Sequence, residues 1–347
     1  MSSDMSPATL RLWRLVQFAV AGLGLAIYLA LIFKPIVGLH AFWNVLIPVA
    51  PALVAVAPGL WRNICPLASA ALLPRHLGLS GRRALSSRGQ DTLALAGLLA
   101  LLLVVPLRHV VLDLDGPATA LVLTIVAALA VLLGLTFEWK SGWCSGACPV
   151  HPVEKLYGTQ PALTLDNAHC TSCERCSTPC PDSTEAMTPL KNNGARLRPY
   201  LGTLLVGGFP GYIWGWFQIP DYAGAEGWQH LPRAFGLPLG ALVLSLVLYL
   251  ALGRILSAAG GDQARRREIL ARLFACGAIA CYYYFRLPAL FGFGPFPGDG
   301  MLVDLRGTLP ESFPILARTL TSVLCLWWFM VRRPMPRPWS FRPAFSD

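Results

Sequence analysis

Residues 117–137 read PATALVLTIVAALAVLLGLTF, with no charged side chain anywhere in the run. As a helix rising 1.5 Å per residue, such a stretch is about 30 Å long, the thickness of a bilayer's hydrocarbon core. Comparable apolar runs recur at 13–33, 41–61, 91–108, 200–219, 235–256, 268–290 and 314–331. The second of these is the most interrupted, by Pro48, Pro51 and Pro58. Composition agrees: 55% of residues are hydrophobic and 13% charged, where soluble domains carry about 25% charged residues. The fold class expected is therefore an all-α integral membrane protein with about eight transmembrane helices. The first apolar stretch is too long for a signal-peptide core and lacks a small-residue cleavage site, so it is expected to stay as an uncleaved anchor.

The net charge of +10 would fit a nucleic-acid binder only if the basic residues clustered for that purpose. They follow the spans instead. With the N-terminus inside, 22 of the 28 Lys and Arg residues fall on alternate segments, including Arg82, Arg83, Arg88, Lys140, Lys155, Arg265, Arg266 and Arg267. Only Lys34, Arg108, Arg233, Arg286, Arg306 and Arg318 fall on the other face, whose loops carry Asp113, Asp115, Asp221, Glu226, Asp299 and Asp304. That is the positive-inside pattern. It predicts a multi-pass protein of a bacterial inner membrane with both termini cytoplasmic, in contact with lipid and not with nucleic acid.

The longest segment between spans divides the chain into three expected parts. These are a four-helix half at 1–137, a polar segment at 138–199 and a second four-helix half at 200–347. The middle segment contains Cys170-Thr-Ser-Cys173-Glu-Arg-Cys176-Ser-Thr-Pro-Cys180-Pro181. This is C-x2-C-x2-C-x3-C-P, the run that bacterial ferredoxins use to hold [4Fe-4S] clusters. Closely spaced thiolates wrap one corner of the cluster, and the proline fixes the chain as it leaves. A disulfide is disfavoured in the reducing cytoplasm. Zinc is the competing reading, but zinc ribbons separate their two C-x2-C knuckles by a longer stretch. Cys170, Cys173, Cys176 and Cys180 are thus expected to ligate at least one [4Fe-4S] cluster in a cytoplasmic ferredoxin-like loop between the fourth and fifth spans.

A weaker repeat precedes it. Trp61-Arg62-Asn63-Ile64-Cys65-Pro66 and Cys144-Ser145-Gly146-Ala147-Cys148-Pro149 each follow an apolar span and each deliver a Cys-Pro to the same face. Cys65, Cys144 and Cys148 are therefore candidate ligands of a second iron–sulfur cluster. In two-cluster ferredoxins the fourth cysteine of the run serves the other cluster. Either Cys180 completes the first cluster, or it crosses to the second and His151, His169 or Asp182 supplies the missing ligand.

Spans on both sides, a Cys-x3-Cys-Pro at the end of a helix hairpin and a following ferredoxin run resemble the NapH/NosR-type polytopic membrane ferredoxins, over roughly residues 10–200. The resemblance implies iron–sulfur electron transfer in respiration. Two departures stand out: Trp61 occupies the place of the first cysteine in Trp61-x3-Cys65-Pro66, and one ferredoxin run is present where the family has two. No extracytoplasmic flavin-binding domain accompanies them.

The other residues weighed point to structure. His40, His109 and His230 lie near outer helix ends, where interfacial partners are commoner than haem; haem is not expected, and a quinone is a candidate. Cys276, Cys281 and Cys325 read as small buried hydrophobes. Tyr282, Tyr283, Tyr284, Trp327 and Trp328 read as interfacial anchors. Gly207, Gly211 and Gly215, with Pro210 between them, read as a helix-packing stripe, with a quinone against that face as the alternative. Ionisable residues deep in the spans are scarce, which speaks against ion pumping. No catalytic residues are indicated. The expected function is a one-electron relay with redox partner proteins. The alternatives are a quinol-oxidising subunit and a membrane assembly or redox-sensing protein.

Overall fold

The computed structural model describes residues 5–138, 140–169, 196–222, 224–258 and 262–333, with Ala225 and Glu226 described by backbone alone. The first helix, α1 (Pro7–Phe33), starts at Ser6, whose hydroxyl accepts the Thr9 amide hydrogen at 3.2 Å. Proline occupies its first position, where no intrahelical amide hydrogen is needed. After Lys34 the chain turns back through α2 (Pro35–Leu39), a π-helical stretch His40–Leu46 and α3 (Ile47–Val56).

That second span was expected to reach residue 61, and it ends at Val56. Ala57 leaves the helix at φ −144°, and Pro58, with no amide hydrogen to continue the ladder, opens the separate short helix α4 (Pro58–Ile64). Next come α5 (Pro66–His76), α6 (Ser87–Leu107), a π-helical turn Arg108–Leu112 and α7 (Gly116–Thr136). A π-helical turn Trp143–Ala147 and α8 (Val150–Tyr157) follow. The second half holds α9 (Arg198–Trp216), α10 (Leu231–Ala258), α11 (Gln263–Leu290) and α12 (Phe313–Leu326). Side chains again set the starts: Ser86, Asp115 and Asp262 each accept amide hydrogens from the first turns of α6, α7 and α11. Among the described residues there is no strand, only an isolated bridge between Arg83 and Phe137.

Among the described residues seven helices are long and apolar enough to cross a membrane: Pro7–Phe33, Pro35–Val56, Ser87–Leu112, Gly116–Thr136, Gly227–Ala258, Gln263–Leu290 and Phe313–Val331. This is a multi-pass, all-helical membrane protein. The stretch expected as a further span forms α9, which falls outside that set; its glycines and aromatics are largely buried among other helices. The glycine stripe explains why. A Cβ on Gly207 would lie 2.9 Å from the Tyr249 ring, one on Gly215 would lie 2.7 Å from Pro238, and one on Gly211 would overlap the Ala241 carbonyl. Glycine lets α9 and α10 approach backbone to backbone, antiparallel, and Ser245 Oγ donates to the Gly207 carbonyl at 2.6 Å across the contact.

Tyr283 is not a surface anchor. Its hydroxyl donates to the Pro48 carbonyl at 2.7 Å and accepts the Ala52 amide hydrogen at 2.8 Å. It therefore stands inside the i→i−4 ladder of α3 beside Pro51, whose missing amide hydrogen already weakens that ladder. Tyr282 also packs on the core, whereas Tyr284 and Trp327 are exposed. Cys276 and Cys325 are buried in the same core and Cys281 packs on it.

Contacts between helix ends define two faces. On one lies a buried polar network. Arg108 pairs with both oxygens of Asp113 at 2.9 and 3.1 Å and stacks over Trp43 and Trp216. His109 Nδ1 meets Asp221 at 2.6 Å and its Nε2 the Trp216 carbonyl at 3.0 Å. Arg286 Nη2 donates to the Trp43 carbonyl and to Asn44 Oδ1. His40 lies beside Asn44, and His230 stacks on Tyr222. The three histidines thus have the ordinary partners expected of interfacial side chains. The opposite face carries Cys65, Cys144 and Cys148.

Candidate functional site

Cys65 follows α4 and caps α5, with backbone φ −59° and ψ 116°. Cys148 closes the π-helical turn Trp143–Ala147 at φ −66° and ψ 119°. In each case proline follows, and backbone amides two and three residues on favour the thiolate: those of Leu67 and Ala68 for Cys65, those of Val150 and His151 for Cys148. Backbone amides and the positive helix end favour a thiolate there. Burial works the other way and dominates. It raises the Cys65 thiol above its ordinary value and, with Cys65 as the next cause, pushes Cys148 up to about 12.

The two Cys-Pro turns are tied together. Arg62 on α4 pairs with Glu154 on α8, both side chains buried, and Glu154 acts electrostatically on both thiols. Buried Lys140 favours the Cys65 thiolate. Cys144 and Cys148 pack with Leu67 on a small apolar cluster of Ala71, Ala130 and Trp143. Close backbone approach fixes this layer to the spans. A Cβ on Gly97 of α6 would lie 2.9 Å from the Ala147 carbonyl and 3.3 Å from that of Cys148, and one on Gly134 of α7 would overlap the Ala71 carbonyl.

Cys65 and Cys148 are thus within electrostatic reach of one another, and Cys144 shares an apolar cluster with Cys148. Among the described residues, however, no three His, Cys, Asp or Glu side chains gather closely enough to hold a metal ion. Cys170, Cys173, Cys176 and Cys180 lie outside the described residues, as does Asp182. His151 and His169 are both buried; the His151 amide donates to the Cys148 carbonyl at 3.2 Å, and His169 Nε2 lies 3.4 Å from Gln17 Nε2.

The donor set fits an iron–sulfur group in part. Two neighbouring thiols whose thiolate form backbone amides favour are what a thiolate-ligated cluster uses. Ser145, between Cys144 and Cys148, has a buried hydroxyl without a hydrogen-bond partner among the described residues. A complete set of four thiolates needs cysteines from 170–180.

Both stretches flanking those cysteines are fastened to this layer. On the leading side the Val56 carbonyl, left over at the end of α3, accepts the Ala162 and Leu163 amide hydrogens at 2.8 and 3.1 Å. The Leu165 backbone runs close against Gly59, and Asn63 hydrogen-bonds to Asp166 and Ala168. Arg332, after the last span, donates to the Gln160 and Pro161 carbonyls. On the trailing side Asp91 of α6 accepts the Arg196 and Leu197 amide hydrogens at 2.9 and 3.1 Å. Sequence does not single out Gln17, Asn63 or Asp91; a lone polar residue near a span end is the only signal each gives. Comparison with family models, curated proteins and solved structures gave no match.

Proposed function

We propose that this protein is a membrane-bound iron–sulfur electron carrier, relaying single electrons between a cytoplasmic or quinone donor and a respiratory redox partner. The observation that carries this reading is a conjunction. A C-x2-C-x2-C-x3-C-P run lies between two stretches that are both fastened to the layer holding Cys65 and Cys148. In this reading Cys170, Cys173, Cys176 and Cys180 hold a [4Fe-4S] cluster, with Cys65, Cys144 and Cys148 available to a second. A bound cluster supplies reversible one-electron chemistry. The chain's own part is to hold the backbone amides of Leu67, Ala68, Val150 and His151 and the buried ammonium of Lys140 where they favour negative charge on the ligating sulfurs. Both favour the more negative, reduced state and so raise the potential. The resemblance to NapH/NosR-type membrane ferredoxins points the same way, and the basic segments on the cysteine-bearing side favour a cytoplasmic orientation in a bacterial inner membrane.

The test is EPR of the anaerobically purified, dithionite-reduced protein, with iron and acid-labile sulfide counts. About four iron and four sulfide per cluster, with a reduced [4Fe-4S] signal, are expected. Protein that binds zinc and no sulfide overturns the reading.

A further inference from the structure

α10 and α11 hold 28 residues each, about 42 Å of helix at 1.5 Å per residue, against a hydrocarbon core about 30 Å thick. The end of α10 and the start of α11 therefore reach headgroup depth. α10 runs antiparallel to α9, and α9 starts beside Asp91, on the helix that also meets the Cys148 backbone. This end of the pair thus lies on the same face as Cys65 and Cys148.

A shallow groove opens there between the two helices. Gly253, Leu256 and Ser257 line it on α10, and Arg266, Arg267 and Leu270 line it on α11. Toward the membrane interior the helices close on one another at Tyr249 and Phe274, whose rings stand edge to face with centroids 5.0 Å apart. A Cβ on Gly253 would lie 3.8 Å from Leu270 Cδ2, so glycine leaves open a space that a longer side chain would fill.

The charge at this groove is unbalanced. Arg266 Nη1 donates to the Leu256 carbonyl at 2.6 Å, one of the last carbonyls of α10, which have no partner within their own helix. That bond holds the guanidinium at the groove with further N–H donors left over. Arg254, Arg265 and Arg267 are exposed, and among the described residues none of the three has an ion-pair partner. The acids nearby are engaged elsewhere: Asp262 Oδ1 accepts the Ala264 and Arg265 amide hydrogens, and Glu268 pairs with Arg272. On the same two helices Leu248, Ile255, Ile269 and Leu273 are exposed. The positive-inside pattern requires only that basic residues stay on this side. It does not require an arginine fixed to a carbonyl beside an open groove.

We propose that this groove binds the phosphodiester headgroup of an anionic phospholipid. Arg266 and Arg267 hold the phosphate, Arg254 and Arg265 add to the positive field, and the acyl chains lie along the exposed apolar sides of α10 and α11. Basic pockets between spanning helices take anionic headgroups in this way. A soluble acidic protein could meet the arginines but would leave the apolar flank unused. The inference rests on the membrane-spanning helices and is independent of the iron–sulfur reading.

The test is native mass spectrometry of the full-length chain taken from detergent micelles that hold equal amounts of phosphatidylglycerol and phosphatidylcholine with matched acyl chains. Wild type should retain phosphatidylglycerol in preference. Arg266→Gln and Arg267→Gln should each lower that preference about fivefold. Gly253→Leu, which fills the groove without changing the charge, should lower it as well. Arg88→Gln removes an exposed charge from the same face, outside the groove, and should leave it unchanged. Equal retention of the two lipids by wild type overturns the proposal and leaves the arginines to topology or to an acidic protein. A loss in Arg88→Gln as large as in Arg267→Gln overturns it in favour of diffuse charge. Displacement of the lipid by an equal concentration of inorganic phosphate overturns it in favour of a site for the free anion. Where Arg266→Gln does not accumulate in the membrane, the contrast between Arg267→Gln and Arg88→Gln decides.

Discussion

Cys65 and Cys148 adopt the same backbone turn ahead of a proline, with φ and ψ agreeing within 7° and 3°, and burial raises the pKa of both thiols. Two separate hairpins have thus arrived at one local solution, and the buried Arg62–Glu154 pair joins them.

If these thiols serve a second cluster, iron per chain in wild type should approach seven or eight. Cys148→Ser should lower it by about three or four, and Cys65→Ser should do the same. Four iron in wild type, unchanged in both variants, would leave Cys65 and Cys148 as helix caps.

The ferredoxin run should separate from the other thiols of the same chain. Changing Cys170, Cys173, Cys176 or Cys180 to alanine should abolish the [4Fe-4S] absorption and EPR or convert them to a three-iron signal. Cys276, Cys281 and Cys325, which pack in the core of the spans, should tolerate alanine with the cluster intact. A triple Cys170/Cys173/Cys176 variant with unaltered EPR would sink the assignment.

Tyr283→Phe should be mild, costing about 1 kcal/mol, at the low end for a lost buried hydrogen bond. The two groups its hydroxyl bridges, Pro48 carbonyl and Ala52 amide, are four residues apart on one helix and can bond each other once the hydroxyl is gone. Tyr283→Ala adds a cavity and should cost about 3–5 kcal/mol. Melting temperatures in detergent would rank them, and equal losses would mean that α3 cannot close its own ladder.

Asp299 carries a pH dependence. Burial first, then the neighbouring Asp221 carboxylate, raises its pKa, against the opposing pull of the Asp221 amide hydrogen and His109; Asp113 adds to the rise. A carboxyl raised on folding contributes stability that is fully present below its unfolded value of about 4 and is lost as pH climbs through the folded value. Asp299→Asn keeps an acceptor for the Asp221 amide hydrogen and removes the charge. It should melt above wild type at pH 7, and the difference should vanish below about pH 4. A variant that melts lower at pH 7 would show that the carboxylate's attraction to His109 outweighs its repulsion by Asp221 and Asp113.

The membrane architecture is readable in the sequence because transfer into lipid depends on composition summed over about 20 residues, and seven helices carry it plainly. It is less readable at α9, where glycine and aromatic residues that serve packing dilute the apolar signal. The end of the second span is hidden from hydropathy, which does not register that Pro58 must begin a new helix. The glycine stripe can be read as packing or as a cofactor face, and only the positions of Tyr249, Ala241 and Pro238 decide for packing. Cysteine spacing is local, so the ferredoxin run is visible at once. Asn63 and Asp91 are not, because their partners lie more than 100 residues away and nothing in a single polar side chain announces a distant amide.

Arg332 stands just beyond the final span, yet it closes on the Gln160 and Pro161 carbonyls. A ribosome must therefore translate some 170 residues past this stretch before the clasp can form. During that interval the segment between the two halves has left the ribosome without its last restraint. Assembly of the layer that holds Cys65 and Cys148 is consequently a late event in biogenesis, completed only after Phe313–Val331 and not by the hairpins that carry these cysteines.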